Sequence, residues 1–321
     1  MRIGRGVDDV LDAEPDAGRM VRTGALTRRR GAARGARDLE YAVVDVETTG
    51  LYPGEGARIC EIAVVRVRGD GTLLREFTTL VDPGAPVTGQ EFHGIGASDV
   101  IGAPKAAELV DVLRGLFSGA VLVGHKLDFE GRFLASELLP AGLPGGLPGL
   151  CTLLSLRSQL DLPRYSLPRA CHTLSGHWPT GQHTALGDAR ACAQLLAELL
   201  ANAPGTLRYT GPAPIELDSG EPDSAPLKPR TSYAATPSAV ALRGHPERPP
   251  AAWPSRWRRL ELDPHDCGGR FGPEQRAAAQ RDAECRSAAL EAAAASAAVA
   301  TALAATSAAR LAARRLRTVL G

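Results

Sequence analysis

At 321 residues the chain has the length of roughly two domains of about 150 residues each. Its 35 glycines and 24 prolines exceed the usual combined share of about 12%, and aromatics make up only 4%, which excludes two compact domains of ordinary make-up. The net charge of +1 conceals strong local asymmetry, and six cysteines without a CxxC exclude a disulfide frame and a zinc site, as expected of reduced thiols in a cytoplasmic protein.

Residues 1–38 read as a disordered tail. Asp8, Asp9, Asp12, Glu14 and Asp16 open it, and seven arginines without an acid follow between Ala17 and Arg37. Such a basic arm adds sequence-independent attraction to nucleic acid, or is simply solvated. The first forty residues hold no apolar run of the kind a secretory leader needs.

From Glu40 the texture changes to short β-type runs. Tyr41 to Val46, Ile59 to Arg68 and Thr72 to Val81 are expected strands, the last two joined by the Gly69-Asp70-Gly71 turn of a hairpin. Ala106 to Phe117 reads as helix, Ala120 to Val123 as a short buried strand and Phe129 to Leu139 as helix, followed by a Gly/Pro-rich loop over 141–149. Helical stretches near 152–160 and 166–175 precede a long helix over about 186–202. A hairpin followed by alternating strands and helices implies a mixed α/β domain over 39–203. Residues 204–271 read as a Pro-rich linker and 272–321 as an Ala-rich helix. Its uncharged stretch, Ala292 to Ala309, reaches transmembrane length, but alanine contributes so little transfer free energy that no membrane association is expected.

Three places carry chemistry. Asp45 and Glu47 stand two apart on the first strand of the domain, so both carboxylates leave the same face, with Val44 and Val46 on the other. Two acids so close repel unless a cation lies between them. In the segment 124–134, Glu130 shares a helical face with Phe133 and Leu134 and points inward, whereas Asp128 either falls beside Arg132 on the outer face or caps the start of the helix. Asp188 continues the stripe of Cys192, Leu195 and Leu199 and aims at the sheet from the first turn of its helix, with His183 just ahead of it.

Together with DVETTGL at 45–51, EFHGI at 91–95, the H-x-x-x-F-[acid]-x-x-F-L pattern at 125–134, YSL at 165–167 and HTALGDARA at 183–191, these residues resemble the DEDDh (DnaQ-like) 3′→5′ exonuclease family, typified by the proofreading subunit of bacterial DNA polymerase III. The resemblance spans about Tyr41 to Leu200. It implies a ribonuclease H-like α/β fold with a mixed five-stranded sheet flanked by helices. It also implies two Mg²⁺ or Mn²⁺ ions on Asp45, Glu47, Glu130 and Asp188, with His183 as general base. The backbone through Thr48, Thr49 and Gly50 is then expected to cradle the terminal nucleotide, and Leu51, Phe92, His93 and Phe129 to line its base. The implied substrate is single-stranded or frayed DNA, degraded to nucleoside 5′-monophosphates, in the cytoplasm and alongside a polymerase or repair partner reached through the tail. RNA trimming, and a catalytically weak nucleic-acid-binding scaffold, are the alternatives. The sequence departs from the family at two positions, with Lys126 for the usual Asn and Glu130 for the usual Asp; the extra methylene of Glu130 either shifts its helix or lowers activity. The basic-aromatic segment 253–259 reads as a clamp for single strands, a docking peptide, or a piece of linker lying on the domain.

Overall fold

A computed structural model describes residues 19–30, 33–218, 227–230 and 256–263. The chain divides into two units, Met1–Cys267 and Gly268–Gly321, and every described residue lies in the first. The Ala-rich helix expected over 272–321, the first 18 residues and Trp253 therefore lie outside the described residues. Among the described residues no helix is long and apolar enough to cross a membrane.

The domain is built on a mixed sheet of six strands: β1 (Val21–Gly24), β2 (Glu40–Thr48), β3 (Ile59–Arg68), β4 (Leu73–Leu80), β5 (Val121–Gly124) and β6 (Leu147–Cys151). Their order is β1-β6-β5-β2-β3-β4. The β2-β3-β4 meander is antiparallel, and β5, β6 and β1 extend it in parallel. The five strands of the ribonuclease H-like expectation are thus present, and a sixth is added at the edge.

Helices cover both faces. On one lie α1 (Val110–Phe117) and α2 (Leu127–Leu138), packed against Ala42, Val44, Val46, Ile62, Val64 and Leu122. On the other lie α3 (Thr152–Gln159), α4 (Leu167–Ser175) and α5 (Ala185–Ala201), packed against Tyr41, Val43, Ala63, Val65, Val121 and Val123. Alternation along β2 produces this division: odd-numbered residues face α5, even-numbered residues face α1 and α2. Asp45 and Glu47 follow the odd series, so they emerge on the face that α5 covers.

Three expectations are corrected. The tail over 1–38 is folded in its described part: β1 pairs with β6, Met20 and Leu26 are buried, and Leu26–Thr27 and Arg34–Gly35 flank Arg208–Tyr209 in a small three-stranded sheet. Paired with other strands, these arginine-bearing residues satisfy their backbone groups inside the domain. The Gly/Pro loop over 141–149 ends in a strand, because β6 is fully buried between β5 and β1 and carries no alternation to betray it. Gly149 is required there: a Cβ would overlap Val21 Cγ1 and lie 2.8 Å from Leu127 Cδ2.

The linker expectation over 204–271 also fails where residues are described. The Gly119 amide donates to Ile215 O at 2.9 Å, the Leu80 amide to Lys228 O at 2.9 Å and the Leu262 amide to Ser158 O at 3.0 Å. Of the basic-aromatic segment, Arg256, Trp257 and Arg258 lie against α3 and its end: Trp257 bridges Leu160, and the Arg258 amide donates to Gln159 O at 2.9 Å. The described part thus fits the surface-lying reading of the segment: the Trp257 ring is partly buried against the core, and the Arg28 guanidinium lies 5.9 Å from its centre.

Candidate active site

The ends of three elements converge. β2 delivers Asp45 and Glu47, and α5 brings Asp188 in its first turn. One ligand oxygen from each of these three residues lies within 4.8 Å of the others. The placement of Asp188 follows from the helix period, since Cys192, Leu195 and Leu199 on the same stripe are buried against the sheet. Thr184 starts the helix by accepting from the Gly187 amide at 3.1 Å. Asp188 turns back and accepts from the His183 amide at 3.1 Å, tying the histidine's loop to the acid cluster. His183 itself is exposed and has φ of +61°, the only positive φ outside glycine among the described residues.

Glu130 approaches from the first turn of α2. It is buried beside the fully buried Phe133 and Leu134, while Asp128 is exposed and paired with Arg132 at 3.7 Å. Glu130 stands outside the 4.8 Å group, and its Oε2 is buried with no hydrogen-bond partner. A buried carboxylate oxygen without a partner is costly unless a cation or proton meets it. Room for the longer side chain comes from Gly124, where a Cβ would lie 3.1 Å from both Cδ and Oε2 of Glu130. The extra methylene is therefore accommodated by a glycine on β5. Lys126 is exposed, with its Nζ 5.9 Å from the centre of the Phe129 ring.

The electrostatics are those of crowded, mutually repelling carboxylates. Burial, then the charges of Asp188, Glu130, Glu47 and Glu61, push the Asp45 carboxyl well above its ordinary range. Burial, with Asp188 and Glu61 beside it and Arg230 opposing, pushes Glu47 up to about 8. Glu130 is pushed up to about 7, chiefly by burial, against backbone hydrogen bonds and Lys126 that favour its charged form. Burial raises Asp188 as well, countered by the hydrogen bond from the His183 amide and by the charge of that histidine. Four acids that resist ionisation together are suited to a multivalent cation, which supplies the missing positive charge.

The residues expected at the substrate divide into two sets. Leu51 and Phe92 are large apolar side chains left 65% and 59% exposed, and Phe129 is half-buried against Phe133, with ring centroids 5.0 Å apart. Gly50 stands at the turn after β2, where its carbonyl accepts from Thr48 Oγ1 at 2.7 Å. Thr49 and His93 are corrected. The Thr49 amide donates to Arg58 O at 2.8 Å and its hydroxyl accepts from the Arg58 amide at 3.0 Å, so both groups close the turn instead of cradling a nucleotide. His93 is buried; its Nδ1 accepts from the Ile95 amide at 3.0 Å, which leaves Nε2 protonated and donating to Thr88 O at 3.1 Å. A ring bonded at both nitrogens organises the 88–95 loop and does not line a base.

Two residues that sequence reasoning passed over join the site. Glu61, directly opposite Glu47 in the β2-β3 register, is fully buried and accepts from the Ala185 amide at 3.1 Å. Arg230, far along the chain, pairs with it at 3.1 Å. The position of Glu61 among the apolar residues of β3 was the available signal, since a lone acid in a buried strand needs a partner.

Residues 42–196 match the model of a family described as exonuclease. The chain is 36% identical over 167 residues to a DNA polymerase III subunit epsilon-like protein of Rhodobacter capsulatus, a match covering 50% of this chain and 24% of that protein, so the chain spans about a quarter of that relative's length. It is 28% identical over 169 residues to the DNA polymerase III subunit epsilon of Rickettsia felis, covering 50% and 74%. Among solved structures, one of exonuclease I aligns with a TM-score of 0.44 at 14% identity, over 51% of this chain and 41% of that one.

Proposed function

Since residues 42–196 form a domain of the exonuclease family, we propose that this chain hydrolyses phosphodiester bonds stepwise from the 3′ end of single-stranded or frayed DNA, releasing nucleoside 5′-monophosphates. The observation that carries the reading is the clustering of Asp45, Glu47 and Asp188 within 4.8 Å beside the orphaned, buried Oε2 of Glu130. This donor set is all carboxylate oxygen, the chemistry preferred by Mg²⁺ and Mn²⁺. Asp45, Glu47 and Asp188 would hold one divalent ion, and Glu130, whose charge bears on Asp45, would share in holding a second. When bound, such ions screen the phosphate, acidify the attacking water and stabilise the departing oxyanion.

The chain's own groups do the rest. His183, exposed at the mouth of the site and tethered to Asp188 through its amide, takes the proton of the attacking water. Leu51 and Phe92 present apolar surface to the unstacked terminal base, and the half-buried Phe129 adds to it. Thr48 and Gly50 shape the turn that faces the terminal nucleotide. DNA as substrate and a polymerase or repair assembly as partner are supported by the relatives named as DNA polymerase III subunits. The unpaired, buried thiols of Cys60, Cys151, Cys171 and Cys192 support a reducing, cytoplasmic setting.

The test compares 5′-labelled DNA and RNA oligonucleotides, single-stranded, paired and frayed, incubated with the full chain and Mn²⁺ or Mg²⁺. The proposal predicts stepwise shortening of single-stranded and frayed DNA, slower attack on paired ends, and Glu130→Asp no faster than the native protein because Gly124 already makes room for the longer acid. Faster cleavage of RNA would reassign the substrate, since discrimination rests on contacts to one 2′-hydroxyl.

A further inference from the structure

Arg230 belongs to a short strap, residues 227–230, that lies outside the matched region 42–196. The strap docks on the edge strand β4. The Leu80 amide donates to Lys228 O at 2.9 Å, the Lys228 amide donates to Thr79 Oγ1 at 3.0 Å, and Lys228 Nζ reaches Ile101 O. From this anchorage Arg230 extends inward, and its side chain is only 11% exposed. Nη1 lies 3.1 Å from Glu61 Oε2, and Nη2 donates to the carbonyl of His93.

The carboxylate it meets is shared. The same Glu61 Oε2 accepts from the amide of Ala185, the first residue of α5, at 3.1 Å. His183 lies two residues before that amide and Asp188 three residues after it. A hydrogen-bonded chain therefore runs from the strap, through Arg230 and Glu61, to the helix start that carries one acid of the cluster and the general base. Glu61 is fully buried, and a buried carboxylate stripped of its cation is strongly unfavourable. Its negative charge also stands opposite Glu47.

We propose that Arg230 is a positioning residue of the nuclease site: by holding Glu61 on the Ala185 amide it fixes the start of α5, and with it His183 and Asp188, so that a segment outside the family domain completes the active centre. Guanidinium suits the task because its fixed fork serves Glu61 and the His93 carbonyl at once. The kinetic arm of the inference rests on the exonuclease reading; the structural arm does not.

The test uses the full chain with Arg230→Ala, Arg230→Lys, Glu61→Gln, the Arg230→Ala/Glu61→Gln double variant, and Arg114→Ala. Arg114→Ala breaks an ion pair with the exposed Asp111 on α1, outside the strap and the acid cluster. Shortening of a labelled DNA strand in Mn²⁺ gives kcat and KM, and amide hydrogen exchange follows peptides spanning 183–190. Arg230→Ala is expected to lower kcat by about tenfold or more with KM within about twofold, since small misplacements of catalytic groups cost rate more than binding. Arg230→Lys should recover part of that loss, Arg114→Ala should stay within about twofold of the native rate, and exchange over 183–190 should quicken in Arg230→Ala and not in Arg114→Ala. The double variant removes the buried charge together with the guanidinium that pairs with it, so it is expected to fold where the single variant does not. Its kcat should match that of Glu61→Gln within about twofold, because Arg230 acts through Glu61. Equal losses in Arg230→Ala and Arg114→Ala, additive losses in the double variant, or unchanged exchange over 183–190 in Arg230→Ala would each overturn the inference. Should the native protein leave every oligonucleotide intact, the exonuclease reading fails while the exchange arm still decides the role of Arg230.

Discussion

Replacing Glu47 by glutamine should stabilise the metal-free protein while disabling it. Burial and the neighbouring Asp188 and Glu61 push Glu47 up to about 8 from an ordinary 4.5. Between those two values the unfolded chain carries the charge and the folded chain holds the proton, so stability falls as pH rises through this window. At about 1.4 kcal/mol per pH unit the full displacement is worth at most about 5 kcal/mol at pH 8. Water reaching a half-buried side chain reduces this to about 1–3 kcal/mol. For a folded unit of this size that is a rise in melting temperature of about 3–10 °C. Thermal unfolding of native protein and Glu47→Gln in EDTA measures it directly: the variant should melt higher at pH 8, and the difference should nearly vanish at pH 5. Adding Mn²⁺ should raise the melting temperature of the native protein more than that of the variant, because the ion binds the folded state through the carboxylate that has been removed. A variant that melts no higher than the native protein at pH 8 in EDTA, or an equal response of both to Mn²⁺, would refute the picture of mutually repelling acids awaiting a cation.

Three further outcomes follow from the same structure. His183→Ala should lower kcat by about 10²–10⁴-fold while leaving the melting temperature unchanged, because the ring is exposed and its anchoring bond is made by the backbone amide; a parallel loss of stability would contradict the assignment. His125, with its ring bonded to Thr152 Oγ1 and Tyr165 O, is held down to about 4 by burial. Stability is therefore lost as pH falls from the ordinary value near 6.5 towards 4, and between pH 7 and pH 5 the native protein should lose about 2 kcal/mol more than His125→Gln in urea unfolding. Gly149→Ala should shift the urea midpoint downward by the equivalent of about 1–3 kcal/mol, since the new methyl would meet Val21 and Leu127 where β1 joins the sheet; an unchanged midpoint would argue against that packing.

The acid pair on β2 was legible because period 2 in a strand assigns faces without reference to anything distant, and the division of Val44 and Val46 from Asp45 and Glu47 follows. Glu130 and Asp188 were legible for the equivalent reason on helices: each lies on a stripe of apolar neighbours, and stripes turn inward. What stayed hidden depends on pairing across sequence distance. Leu147–Cys151 contains Pro and Gly and is buried on all sides, so neither alternation nor composition marks it as a strand. Val21–Gly24 becomes a strand only because β6 offers it an edge. Thr49 and His93 lie inside motif segments, yet their polar atoms are consumed by Arg58, Ile95 and Thr88, partners that no local pattern names. Arg230 is the extreme case, a single arginine in a proline-rich stretch that meets a glutamate 169 positions earlier.

The central claim, that these acids form a divalent-cation nuclease centre, is tested most directly by following a 5′-labelled single-stranded DNA with the native protein and with Asp45→Asn. The account predicts stepwise shortening from the 3′ end with Mn²⁺, arrest by EDTA, recovery when Mn²⁺ is restored in excess, and no shortening by a folded Asp45→Asn protein. Shortening that persists in EDTA, or that survives Asp45→Asn, would contradict it.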